Sequence, residues 1–139
     1  MKTSLILYMI ALCIFLPLDL LWIGVVARDF YRDGMGALMA DKPRLDIGLI
    51  FYALFVAGLV IFGIRAGVAA NDWKQALLYG ALFGFFCYAT YDLTNLAVMK
   101  NFPVKLALVD LAWGTIVSGV TSALTVVIAK ALLGDLSGQ

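Results

Sequence analysis

Four stretches of this chain are apolar for long enough to cross a bilayer, and no other feature constrains the fold as much. A helix crossing ~30 Å of hydrocarbon takes about 20 mainly apolar residues, because its backbone polar groups must be satisfied within the segment. The stretches run from Ser4 to Ala27, Gly48 to Ile64, Gln75 to Met99 and Leu106 to Ala129. Across the chain 64% of residues are hydrophobic and 14% charged, with mean hydropathy +1.01. A soluble domain of this size leaves about a third of its unfolded surface in water, so an aqueous fold could not hide that much apolar area. The sequence predicts an all-α polytopic membrane protein. It is a bundle of four transmembrane helices, a single domain over residues 1–139, with the lipid bilayer as its immediate surroundings.

Between the spans lie a first loop from Arg28 to about Ile47, a short loop around Arg65 to Lys74, and a tight turn, Lys100-Asn101-Phe102-Pro103. A polar tail runs from Gly134 to Gln139. The first span has some features of a secretory signal, with Lys2 ahead and Val25-Val26-Ala27 behind. Its apolar run is too long for one, however, and Asp19 and Trp22 interrupt it, so it reads as a retained helix. Arg28, Arg32, Lys42, Arg44, Lys100 and Lys105 lie in loops one and three, against Lys2, Arg65, Lys74 and Lys130 elsewhere. The positive-inside rule therefore leans toward loops one and three in the cytoplasm. A net charge of +1 recruits no nucleic acid.

All nine acids are Asp, and the chain has neither Glu nor His. That excludes His-ligated metals and a Ser-His-Asp triad. Cys13 and Cys87 both lie inside apolar runs and read as buried thiols.

Three of the acids fall within spans. A charged side chain there costs about 2.5–3.5 kcal/mol on insertion scales, so each is a functional candidate by default. Asp19 lies nine residues before Arg28, Asp92 eight before Lys100, and Asp110 five after Lys105. At 1.5 Å per residue these are depths of about 13, 12 and 8 Å. The first and third spans end, and the fourth begins, on the same membrane side. All three carboxyls are thus expected in one leaflet at similar depth.

Their neighbours extend the pattern. Gly80, Gly84, Tyr88 and Asp92 recur every four residues, with Asn95 three further on, and form one helix face. Asp110, Gly114, Ser118 and Ser122 form another, with Thr121 and Thr125 beside it. Pro17 frees the carbonyl of Cys13, which predicts a kink or a spare acceptor just before Asp19. Small and hydroxylated residues on a helix face also serve plain tight packing. An Asp can act as interhelical glue, and Trp22, Trp113 and Trp73 can be packing or interface anchors. One internal echo stands out: Asp19-x-x-Trp22 and Asp110-x-x-Trp113, each followed closely by a glycine. An inverted repeat and convergence on an Asp–indole bond account for it equally well.

Three segments together, Leu18-Asp19-x-x-Trp22-x-Gly24, Tyr88-Ala89-x-Tyr91-Asp92-Leu93-Thr94-Asn95-Leu96 and Asp110-x-x-Trp113-Gly114, resemble the family catalogued as domain of unknown function 2177. The resemblance spans nearly the whole chain, and the Tyr-Asp-Leu-Thr-Asn run is its most specific part. It implies a multi-pass protein of a bacterial inner membrane and supplies no activity.

The residues must then supply the chemistry. Three carboxylates close together in low dielectric cannot all stay ionised. The leading reading is therefore a pocket that binds a small molecule or ion, or carries it with proton or cation coupling, in a homo-oligomer. Its candidate residues are Asp19, Asp92, Asp110, Tyr88, Asn95, Tyr91, Thr94, Trp22 and Trp113. Asp92 is the expected coupling acid, with Asp19 and Asp110 as its charged neighbours. The alternative is an enzyme or binding protein for a lipid or isoprenoid-like substrate. In that case Asp19, Asp92 and Asp110 are the oxygen donors open to a divalent cation, and no other cofactor is expected. Under this alternative the first loop, Arg28 to Gly36, is a lid or a head-group clamp; its plainer reading is a solvated interfacial turn. A third reading is an accessory subunit of a larger membrane complex, favoured if Arg28 or Arg32 reaches in to neutralise the acids.

Overall fold

The computed structural model describes residues 2–40 and 42–136, so Asp41 and the last three residues of the polar tail lie outside the described residues. Six α-helices follow one another, α1 Lys2–Leu21, α2 Arg28–Met35, α3 Leu45–Leu59, α4 Arg65–Ala70, α5 Trp73–Val98 and α6 Val104–Leu133, and the described residues contain no strand. Wide π-turns at Trp22–Val26 and Val60–Ile64 join α1 to α2 and α3 to α4. Among the described residues, four continuous helical rods are long and apolar enough to span a membrane: Lys2–Val26, Leu45–Ala70, Trp73–Val98 and Val104–Leu133. The chain is an all-α membrane protein, as its hydropathy requires.

The helices depart most from the sequence reading in the two loops that flank the second span. The second span runs on past Ile64, because Arg65 is an exposed residue on a continuing helix and not its end. Gly67 packs against Ala76 so closely that a Cβ there would overlap it, and this seats α4 on α5. The short loop shrinks to Asn71 and Asp72. Asn71 takes a left-handed φ of 51°, and Asp72 caps α5 by accepting from the Lys74 N–H at 2.9 Å. The first loop is also partly helical. In α2, Arg28, Asp29, Arg32 and Asp33 face outward, while Tyr31 and Met35 turn toward Leu106 and Ala107. Helix α1 continues through Pro17 to Leu21, and a widened turn follows Asp19 at Trp22–Val26.

The interior is built where the helices can approach. Phe15 of α1 meets Phe55 of α3 at 5.0 Å between ring centroids, with Leu7, Val56, Leu59 and Val117 fully enclosed around them. Helices α5 and α6 lie antiparallel across a seam of small residues. Gly80 faces Ser122, Gly84 faces Ser118, and the ring of Tyr88 rests on Gly114. Any side chain at Gly114 would occupy the volume of that ring. One turn further along the same register, Asp92 comes opposite Asp110. Leu5, Leu54, Phe62 and Phe86 lie on the outside, where acyl chains would cover them.

Candidate functional site

Asp19 and Asp110 project from α1 and α6, which run antiparallel, and the two Asp-x-x-Trp echoes meet there crosswise. Asp19 is 2% exposed, and its Oδ1 accepts from the Nε1 of Trp113 at 2.9 Å. Its Oδ2 accepts from the hydroxyl of Tyr52 at 2.6 Å. Asp110 accepts from the hydroxyl of Tyr31, which itself accepts from the Nε1 of Trp22 at 3.3 Å. The two indoles stack, with centroids 4.3 Å apart and planes within 7°. Each acid is therefore served by the indole of the other echo, directly for Asp19 and through a phenol for Asp110. Burial, and then the Asp110 carboxylate, push the Tyr31 phenol well above its usual range, so it remains a donor.

These acids open onto a cavity of about 420 Å³ between α1, α3, α5 and α6. Asp19, Asp110, Tyr52, Tyr88 and Tyr91 form its polar lining. Ile23, Phe51, Phe55, Gly48 and Cys87 supply the rest. No Lys or Arg lines it. The ion pairs Arg32–Asp29 at 2.9 Å and Arg44–Asp46 at 3.1 Å are both exposed, and neither involves Asp19 or Asp110. A second hollow, of about 530 Å³, is walled by Phe62, Tyr79, Leu82, Phe83, Phe86, Cys87 and Thr90, and it holds no acid.

The structure thus gathers six of the nine candidates. Asp19, Asp110, Tyr88 and Tyr91 line the cavity, and Trp22 and Trp113 hold its acids. Three stand apart. Asp92 is completely enclosed in the α5–α6 seam, outside the cavity lining, and neither carboxyl oxygen has a hydrogen-bond partner. Thr94 turns its hydroxyl back to the carbonyls of Thr90 and Tyr91, the latter at 3.0 Å. Asn95 is half-buried one turn beyond Tyr91 and does not line the cavity. Among the described residues, Asp and Cys side chains nowhere gather in threes close enough to hold a metal ion.

Sequence reasoning missed the two phenols that ligate the acids. Tyr52 was detectable, because it is the one side chain with a hydrogen-bonding group in the second apolar run, Gly48 to Ile64. Tyr31 was hidden by the reading of its segment as a loop. The repeat Arg28-Asp29-x-x-Arg32-Asp33, one helical turn apart, was the available sign of α2.

No curated protein and no solved structure matches the chain. The model of the family described as predicted membrane protein (DUF2177) matches residues 4–127, nearly the whole length of the four spans, and the chain belongs to that family.

Proposed function

We propose that the protein is a multi-pass carrier of a bacterial inner membrane that binds a small molecule in the Asp19–Asp110 groove and exchanges it for protons. One observation carries the reading: carboxyls from two antiparallel helices face one cavity, and no basic side chain neutralises them. Acids at this depth are costly and belong beside cavities that use them. A carboxylate sheltered from water needs a donor, a cation or a proton. Ligand and proton then compete for the same oxygens, which is the essence of coupling. Asp92, unpartnered and opposite Asp110 in the α5–α6 register, is the next group able to hold a proton. The hydroxyls of Ser118, Ser122 and Thr121, which also lack partners, continue the same seam toward the opposite face. A homodimer would close the side of the groove left open by four helices. The six cations of loops one and three, against four elsewhere, favour a cytoplasmic side for those loops.

The test is recovery of small molecules from protein purified in a mild detergent, with wild type compared to Asp110→Asn. Compounds enriched at least tenfold on wild type and lost on the variant support the reading. Identical profiles from the two proteins overturn it. The recovered compounds, sealed in proteoliposomes with a pH-sensitive dye, should then drive counterflow of protons. Ile23, Phe51 and Tyr91 are half-exposed at the rim, on the side that would meet acyl chains. This favours, as a second reading, a lipid or isoprenoid-like ligand that enters sideways. Enrichment of lipids and not of water-soluble compounds would select it.

A further inference from the structure

We infer that the groove between α1, α3, α5 and α6 selects an organic cation, an ammonium or other onium group carried on a compact apolar body. The inference rests on the reading of this groove as a ligand site. The first argument is the balance of donors and acceptors. Tyr52 spends its proton on Asp19 and Tyr31 spends its own on Asp110, so the phenol oxygens that remain are acceptors. A carboxylate offers about four lone-pair sites. Asp19 uses two of them and Asp110 one. The lining therefore presents surplus acceptors and negative charge, and the side-chain donors left toward a ligand are the hydroxyls of Tyr88 and Tyr91 and the weak thiol donor of Cys87. An anion would add a further negative charge where no Lys or Arg lines the wall.

The second argument is the wall itself. Phe51, Tyr52, Phe55 and Tyr88 form a continuous aromatic surface. Centroid separations are 5.4 Å for Phe51–Tyr52, 5.4 Å for Phe51–Phe55 and 6.1 Å for Phe55–Tyr88. Ring faces attract cations, and most strongly where water is excluded. A cavity of about 420 Å³ lies toward the small end of ligand pockets and suits a compact amphiphile. Carboxyls and aromatic rings in one lining together favour a cation with an apolar body over a neutral molecule of the same shape.

The experiment compares two isosteres, benzyltrimethylammonium and neopentylbenzene, which differ in a quaternary nitrogen against a quaternary carbon. Binding of each is measured to the full chain in nanodiscs, with empty discs as blank. The cation is expected to bind at least tenfold more tightly than the hydrocarbon, and the preference should fall to within twofold in Asp110→Asn. In a Cys13→Ser background, the bound cation should also slow maleimide labelling of Cys87, which lines the groove. The preference is read on wild type alone, so a variant that fails to fold does not decide it. Equal affinities of wild type for the two probes overturn the inference. If they are equal while Asp110-dependent compounds are still recovered, the ligand class is wrong and the carrier reading stands. If neither is seen, both fall.

Discussion

Removing one hydroxyl tests whether the Tyr52 phenol holds the Asp19 carboxyl in place. In Tyr52→Phe the ring is kept, so its contacts with Phe51 at 5.4 Å and Phe15 at 6.2 Å survive, and only the bond of 2.6 Å to Asp19 is lost. Two magnitudes compete. Interhelical hydrogen bonds in membrane proteins average about 0.6 kcal/mol and reach about 1.7. Bonds to charged groups contribute about 1.5–3 kcal/mol. Asp19 is 2% exposed, so no water replaces the lost donor, although Trp113 still serves the other oxygen. The two scales overlap near 1.5 kcal/mol, and a loss of about that size, roughly tenfold in the unfolding equilibrium, is expected. Reversible unfolding in mixed micelles with rising dodecyl sulfate, followed by far-UV circular dichroism, measures it. Combination with Asp19→Asn in a double-mutant cycle isolates the pair, and its coupling should be about 1 kcal/mol or more. A coupling below about 0.3 kcal/mol would refute the reasoning, since the phenol and the carboxyl would then not hold each other.

Gly114→Ala places a methyl group inside the ring of Tyr88 and should destabilise the protein by about 1–3 kcal/mol in the same assay. Gly24→Ala, whose added carbon meets nothing, should be close to neutral. Because the folded protein holds the Tyr31 phenol above its ordinary range, the stability it contributes is complete below about pH 10 and is lost as pH rises beyond that. Tyr31→Phe should flatten this alkaline loss, measured as the difference in unfolding stability between wild type and variant across that pH range. Trp22→Leu removes a stacked indole and the donor to Tyr31. The stacking alone should cost about 0.5–1.5 kcal/mol, and the near-ultraviolet dichroism of the indoles should collapse.

The spans were legible because length and hydropathy leave a helix in lipid no alternative. The two faces that meet between α5 and α6 were legible because Gly80 and Gly84 share one helix face and Gly114, Ser118 and Ser122 another, and spacing alone puts them there, although not that they meet. Which acids would share a hollow was harder to read. Helical spacing assigns Asp92 to a face, but the closeness of that seam, set by glycines on both helices, decides whether the face borders open space. Asp92 consequently lies enclosed while Asp19 and Asp110 reach the cavity. The phenols were hidden for a different reason. A tyrosine in an apolar run scores as apolar, and one in a charged loop scores as interfacial. Only three-dimensional proximity turns Tyr52 and Tyr31 into ligands of carboxyls far away in sequence.

The π-turn at Trp22–Val26 also acts as a phasing device. There the Ala27 N–H donates to the carbonyl of Trp22, five positions back, at 2.7 Å. Each residue of an ordinary helix advances the chain by about 100°, so the extra residue sets the azimuth at which α2 departs. Deleting a single residue from this turn would restore the tighter winding and swing α2 about its axis by roughly that angle. The outward Arg-Asp pairs would rotate in and Tyr31 would leave Asp110, with no polar side chain of the spans altered. The geometry of the acid thus depends on a backbone count as much as on side-chain identity.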